Sequence, residues 1–582
     1  MGSRAAVTVA VLAAAAVVAG CSEVPTSGPV VDAGAVGPQP DEQGRYIEVI
    51  EAPPQPGMTP TELVDGFIAA MASYQPGYET AQEYLTEEAA SEWDPYARVA
   101  VHYGPKPVTT QVGDSTVHVE TTPRGEVGAD GAFREDVAPS SSPDFDLQLE
   151  QVDGEWRIAN PPPGILISDF SFEREYQARN VYFFDPSLEV LVPDVVYLPR
   201  TANDATATLL ARKVLSGPSD WLQPAVATAF RPEAELAVNA VPVRDGVATV
   251  DLSSDAALAG PEEQERMVAQ LAWTLGVLPE VEKVRVLANE LPLLQGDPLS
   301  PHDPPLNAYD PSVLPSGTPL YAIGETGVVS ASDGELTPVP GPLGEQAGAR
   351  EVAVDLAASR GVVISADGTT AQVASFGEDE PLDPLFTGVD LASPAWDRTG
   401  LVWAVDHGVE GHGIVVTRAD GTPVAVTAPD LDGDVRRLAV SPDGVRVALV
   451  VGDQAMVANV IRDGDEATVR IEQPRPIGPD GVALDVAWSS TSPSWSAADT
   501  VVILLETESG TAEASIEPYH AALSGQETLP RGGGLPAGDA VRVGAAAGLP
   551  VVLESGDGVL YVQRSSNAWT EIGPARNPAY PG

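Results

Sequence analysis

Apolar positions change period several times along this chain, and each change predicts a structural boundary. A basic start, Met1 to Arg4, precedes an apolar run from Ala5 to Val18, and the small residues Ala19, Gly20 and Cys21 close it. That order of basic, apolar and small residues is the order of a cleaved secretion signal, here residues 1–20. The run has roughly 14 residues, short of the roughly 20 that a bilayer-crossing helix needs, which favours a removed leader over a spanning anchor. Residues 22–43 show neither helical nor alternating period and are rich in Pro, Gly and acidic residues. They predict a tether over residues 21–44, able to reach about 70 Å when fully stretched.

Folded patterning starts at residue 45, with an extended run over 45–51. Thr59, Pro60 and Glu62 form a helix-start signature, after which Leu63, Val64, Phe67, Ile68 and Met71 fall on one helical face. A second helical segment carries Ala81, Tyr84, Leu85, Ala89 and Trp93. Strands are predicted at 98–103 and 115–121, and a hairpin joins 144–151 to 155–160 across Asp153 and Gly154. This gives a first α+β domain over 45–160, ended by the break at 161–164.

A second α+β domain is predicted over 165–295. Its strands are expected at 180–185, 194–199, 236–243, 247–252 and 281–287, with Asp245 and Gly246 turning one hairpin. One helix, capped by Asp204 and stopped by Gly217 and Pro218, buries Ala207, Leu210, Ala211 and Val214. Another carries Met267, Leu271, Leu275 and Leu278. Residues 296–317, rich in Pro, read as a linker or a strap onto the last domain.

From residue 318 the pattern becomes short apolar strands in units beginning near Val352, Leu391, Leu438, Asp485 and Val541. Asp-Gly pairs starting at Asp333, Asp367, Asp420, Asp463 and Asp557 predict type I′ hairpins. A period of roughly 40 to 55 residues predicts four-stranded blades of a β-propeller over 318–582, six in number. Strands at 320–323, 328–331 and 335–339 lack an innermost partner. Residues 576–581 are expected to supply it and so join both ends of the ring.

Composition narrows the function. The 582 residues exceed what one core supports, and 43% hydrophobic residues indicate folded domains. With 84 acidic against 31 basic residues the net charge is −53, which disfavours nucleic acid and anionic lipid as partners. Only Lys106, Lys213 and Lys283 are lysines, and Ala, Val, Gly and Pro abound, a skew typical of G+C-rich bacterial genomes.

Reactive constellations are sparse. Cys21 is the only cysteine, so no intramolecular disulfide or zinc cluster is expected. Ser-x-x-Lys, Gly-x-Ser-x-Gly and His-Glu-x-x-His motifs do not occur, and no catalytic residue, cofactor or metal site is expected. His407 and His412, with Asp406 and Glu410, are read as a hairpin tip; Asp430, Asp432 and Asp434 as a solvated turn; and Glu378, Asp379 and Glu380 as a charged loop. His102 and His118 are read as structural, and Tyr197, Trp273, Trp396, Trp403 and Trp488 as core. Trp495, in the loop 489–499, is the candidate for an exposed partner contact.

Several stretches resemble known families. Residues 18–21 (VAGC) resemble the lipobox of bacterial lipoproteins. That resemblance implies cleavage between Gly20 and Cys21, with S-diacylglycerol and an N-acyl chain on Cys21, at ~0.8 kcal/mol per buried methylene. The anchor would hold the protein at the extracytoplasmic face of the cell membrane. Two helices and a meander ending in residues 154–158 (GEWRI) look like the NTF2-like fold. Residues 214–218 (VLSGP), 246–253 (GVATVDLS), 270–275 (QLAWTL) and 282–286 resemble the GerMN domain, which implies a binding module. Ser441 to Gly444 resembles the turn of TolB-like propellers.

The combination is similar to the actinobacterial lipoprotein LpqB family. Membership implies an accessory to an MtrA/MtrB-type two-component system that contacts the extracellular domain of the sensor histidine kinase. The residues themselves name no partner, and they leave open a cell-wall glycan or peptidoglycan receptor and a propeller hydrolase acting on envelope polymer.

Overall fold

The structure is a computed structural model that describes residues 52–135, 144–201, 203–310, 314–315, 317–332, 334–377, 381–462, 468–490, 499–507, 515–525, 535, 539–565 and 568–582. Its first helix, Pro60–Met71, starts with the reciprocal cap expected from sequence. The Thr59 hydroxyl accepts the Glu62 N–H at 3.3 Å, and the Glu62 carboxylate accepts the Thr59 N–H at 2.8 Å. Leu63, Val64, Phe67, Ile68 and Met71 are buried against the first sheet.

The second helical segment is divided into Glu79–Gln82 and Glu87–Glu92. It breaks where Leu85 forms a parallel bridge to Ile158 and Thr86 caps the next turn through the Ala89 N–H. A sheet bridge outcompeted helical periodicity at this point.

The sheet runs in the order Glu155–Ile158, Phe145–Val152, Thr116–Gly128, Arg98–Gln111, Ile165–Ser168. Asp153 and Gly154 both have positive φ (55° and 86°), as a type I′ hairpin demands. Ile165–Ser168 is buried throughout and lies parallel to Arg98–Gln111. The first domain therefore continues past residue 160: the second was expected to begin at 165, but Ile165–Ser168 closes the first sheet instead. A four-residue buried strand after a Pro-Gly break carries no period that would reveal its partner.

An antiparallel ribbon, Tyr176–Phe184 with Leu191–Pro199, links two cores. Tyr176, Ala178 and Tyr197 pack in the first; Val181, Phe183, Phe184 and Leu191 pack in the second. The following helix spans Asn203–Ser216, so Asp204 lies inside its first turn and is not the cap expected there. Gly217, at φ 94°, ends it.

Val247–Leu252 and Lys283–Ala288 are parallel neighbours connected through helix Pro261–Leu275. The strand expected at 236–243 shrinks to a single Leu236–Leu252 bridge and the short Val243–Arg244. Residues beyond 295 strap back over this same domain. Trp273 Nε1 donates to the Leu306 carbonyl at 3.2 Å, and the Tyr309 hydroxyl donates to Glu265 at 2.9 Å.

Six blades follow among the described residues. Their innermost strands are Arg576–Ala579, Glu351–Val354, Leu391–Trp396, Val435–Val440, Val482–Ser490 and Ala540–Gly544. Blades three and four also join at their outer edges, where Pro423–Thr427 pairs in parallel with Thr468–Pro476.

The Asp-Gly turns depart from expectation. Gly368, Gly421 and Gly558 have φ of 73°, 85° and 81°, but the aspartates before them keep negative φ. Asp367 and Asp420 instead accept the N–H two residues ahead, from Thr369 and Thr422, which fixes an Asx turn ending in a left-handed glycine. Asp333 and Asp463 lie outside the described residues.

Ring closure follows the sequence reading. Arg576–Ala579 pairs antiparallel with Leu320–Ile323, matching Tyr321 with Ala579 and Ile323 with Arg576. Deleting residues 576–582 should therefore expose the edge of the first blade. The thermal midpoint of the propeller, followed by calorimetry, is expected to fall by roughly 5 to 10 °C at about 2 to 4 °C per kcal/mol lost.

Candidate functional site

Two places concentrate charge or space: the inner strands of the propeller and a cleft where the domains meet. On and beside the inner strands, acidic side chains reach from one blade to another. Glu351 accepts the Ser393 N–H at 2.6 Å and an Arg542 N–H at 2.8 Å. Asp485 accepts the Val543 N–H at 2.9 Å, and Glu554 accepts the Asn577 N–H at 2.7 Å. Asn577 Oδ1 in turn accepts the Val352 N–H at 2.6 Å.

Ser393 and Asn577 sit at positive φ (49° and 52°), in strands whose register shifts there, so the carboxylates hold bulged backbone in place. Burial pushes the carboxyl pKa of Asp485 and of Glu554 up, with Arg542 opposing it in both. These acids join blades, each accepting at least one hydrogen bond from another blade. A pocket of about 130 Å³ beside Ala353, Ala439, Ala546 and Pro578 is mainly apolar, and the Gly582 N–H donates to the Val354 carbonyl at 3.0 Å at its edge.

The histidines expected to be structural have ordinary partners. His102 is 2% exposed, and His118 pairs with Asp146 at 2.7 Å on a half-exposed face. His407 Nε2 lies 3.1 Å from the Arg436 carbonyl, whereas His412 Nδ1 accepts the Ile414 N–H at 3.0 Å, so the two do not converge. Asp430, Asp432 and Asp434 are exposed. Among the described residues no group of three His, Cys, Asp or Glu is arranged to hold a metal.

Trp396, Trp403 and Trp488 are buried between strands, as are Trp273 and Tyr197 in their domains. Trp403 Nε1 donates to Asp397 at 2.9 Å and Trp488 Nε1 to the Ala439 carbonyl at 2.8 Å. Gly20, Cys21, Trp495 and the acidic run Glu378, Asp379 and Glu380 lie outside the described residues.

The cleft was not foreseen. It begins with the turn after Gly217, where Ser219 donates through its N–H and hydroxyl to buried Asp194 at 2.6 and 2.9 Å. That turn presses Leu222 and Ala225 against Val445 and Ile461 of the fourth blade. Trp221 Nε1 donates to the Gln473 carbonyl at 2.9 Å, and the Arg475 guanidinium lies 3.8 Å from the centre of the indole.

Arg475 also donates to the Leu523 carbonyl at 3.2 Å, and burial brings its pKa down to about 10. From the first domain, Phe133 stacks on Phe172 with ring centres 5.6 Å apart and meets Gly525 of the propeller. A Cβ on Gly525, whose φ is 71°, would come within 2.7 Å of the Phe133 ring. Arg134 binds Asp130 at 2.6 Å and lies 3.6 Å from Asp220.

All three domains thus wall a cleft of about 940 Å³, with Tyr103, Phe133, Glu135, Trp221 and Asp480 among its lining. No motif announces it. The available signals were a tryptophan in a polar turn and the run Pro474, Arg475, Pro476 at the end of a strand.

Three family models match in order. They are "Lipoprotein LpqB, N-terminal domain" over residues 53–173, "Sporulation and spore germination" over 180–294, and "Lipoprotein LpqB beta-propeller domain" over 326–581. The first of these runs past residue 160, in line with the sheet. A "Lipoprotein LpqB" of Thermobifida fusca is 31% identical over all of this chain and 99% of its own. Its namesake in Cutibacterium acnes is 30% identical over 97% of both chains. Among solved structures, the tandem GerMN domains of GerM from Bacillus subtilis are 18% identical, covering 28% of this chain and 62% of that one at a TM-score of 0.19.

Two substitutions test the architecture of these regions. Trp221→Ala removes the stack on Arg475 and the bond to Gln473; a loss of about 3 kcal/mol is expected, with one cooperative melt splitting into separate transitions in calorimetry. Glu351→Ala leaves Arg542 and the Ser393 N–H without their acceptor, and chemical denaturation is expected to read about 3 to 5 kcal/mol lost, with Glu351→Gln costing less.

Proposed function

Since the chain belongs to the LpqB lipoprotein family, we propose that it is an extracytoplasmic adaptor, cut after Gly20 and anchored through acyl chains on Cys21. Its role is that of a non-catalytic accessory to a two-component sensor kinase of the MtrA/MtrB type, acting in cell-envelope and division homeostasis. Its partner is the extracellular domain of that kinase. The observation that carries this reading is the full-length likeness to a lipoprotein of the family, together with the match of this chain to three family models in order.

The physical features fit an adaptor. The acidic groups between the blades are spent on holding strands, which leaves a broad, rigid surface as the asset of the molecule. Among the described residues no helix is long and apolar enough to cross a membrane, so a lipid at Cys21 would do the anchoring. Holding adaptor and kinase on one membrane raises their effective concentration without any new contact.

Two measurements check the reading. Cys21→Ser should move the protein from the membrane pellet to the medium on cell fractionation; equal retention of the variant contradicts the anchor. The full chain in detergent should capture the extracellular domain of the kinase in a pull-down, and failure to associate at high micromolar concentration contradicts the adaptor role.

A further inference from the structure

The cleft at the domain junction is richer in hydrogen-bond acceptors than in donors. Pro474, Pro476 and Pro479 lack an N–H, so at these positions the segment 473–480 offers the cleft carbonyl oxygens alone. Three carboxylates line it, from Glu135, Asp220 and Asp480, against the guanidiniums of Arg134 and Arg475. Both guanidiniums are already committed, Arg134 to Asp130 and Asp220, Arg475 to Leu523 and the face of Trp221. Among the described residues, no ion pair or hydrogen bond engages the side chain of Glu135 or of Asp480.

The walls also carry apolar area. Tyr103 is 52% exposed, an unusual state for an aromatic residue on a sheet, and Ile477 is half-buried opposite. Partial desolvation raises the carboxyl pKa of Glu135, with the more distant Arg124 and Arg475 opposing it, so a cation brought beside it would be welcome. The surrounding field, from a chain of net charge −53, favours the same sign of ligand.

We propose that this cleft binds an extended, basic peptide segment of a protein partner, whose Arg or Lys side chains pair with Glu135 and Asp480. Apolar side chains flanking the cation lie on Tyr103 and Ile477, and N–H groups of the peptide donate to the carbonyls of the proline-rich segment. Arginine suits the site best, since its five donors meet a lining made of acceptors. The inference rests on the adaptor reading and names the chemistry of the segment through which the partner is held.

The probe is a fluorescein-labelled hexapeptide, Gly-Leu-Arg-Val-Arg-Gly, read by anisotropy against the full chain in detergent micelles. A second peptide carries Glu in place of both Arg. The basic peptide is expected to bind and the acidic one not, with affinity falling as salt rises. Glu135→Gln combined with Asp480→Asn should weaken binding at least tenfold while leaving the thermal midpoint in place. Asp480→Asn alone, at an exposed position, should act in the same direction.

Equal binding of both peptides, or unchanged affinity in the double variant, overturns the proposal. So does a peptidoglycan fragment that occupies the cleft while the basic peptide does not. Capture of the kinase domain, run in parallel, separates this inference from the reading beneath it. Capture undiminished by the double variant sinks the cleft proposal and leaves the adaptor standing. Peptide binding without any capture of the kinase sinks the adaptor and leaves the cleft.

Discussion

The stack of Arg475 on Trp221 is the contact on which the junction of the middle domain with the propeller depends. An indole from the middle domain is held between a carbonyl and a guanidinium of the propeller, and that same guanidinium reaches Leu523, next to the loop that touches Phe133. A desolvated cation over an indole contributes about 2 kcal/mol or more. Its larger effect is geometric. Together with the packing of Leu222 and Ala225 on Val445 and Ile461 and of Phe133 against Gly525, it makes three domains the walls of one cleft, and a cleft has a fixed shape only when its walls cannot drift.

Electrostatics divides the molecule by depth. Within the propeller, Glu351, Asp485 and Glu554 are matched to an arginine or to backbone N–H groups, and each of these bonds spans two blades. At the surface, the excess of acids goes unmatched. A protein so charged is repelled by anionic phospholipid. The buried acids therefore speak for cohesion, and the unmatched ones for the choice of partner.

Much of the fold was legible because local rules and tertiary structure agree. The Thr59 and Glu62 cap, the turns at Asp153 and Asp245, and the missing inner strand of the first blade each rest on a short pattern with one physical meaning. Where they disagree, a distant partner decided. Leu85 left its helical period to bridge Ile158, and Ile165–Ser168 joined a sheet begun more than sixty residues earlier, at Arg98. Asp367 and Asp420 kept negative φ while their carboxylates found an N–H two residues ahead, an option the Asp-Gly pair does not advertise. The cleft was illegible for a related reason. Its residues come from three separated stretches, and neither a lone Trp221 nor a Pro-rich strand end distinguishes a junction from an ordinary loop.

The pairing of Arg576–Ala579 with Leu320–Ile323 imposes an order on biogenesis. A chain made from its N-terminus presents Leu320–Ile323 long before Arg576–Ala579, the segment that locks the ring. Until that segment arrives, the first blade offers an open strand edge to whatever lies nearby. Completion of the ring thus waits on its final strand: a copy clipped before Arg576 would keep the elements of its first two domains and still lack the strand that joins the ends of the third.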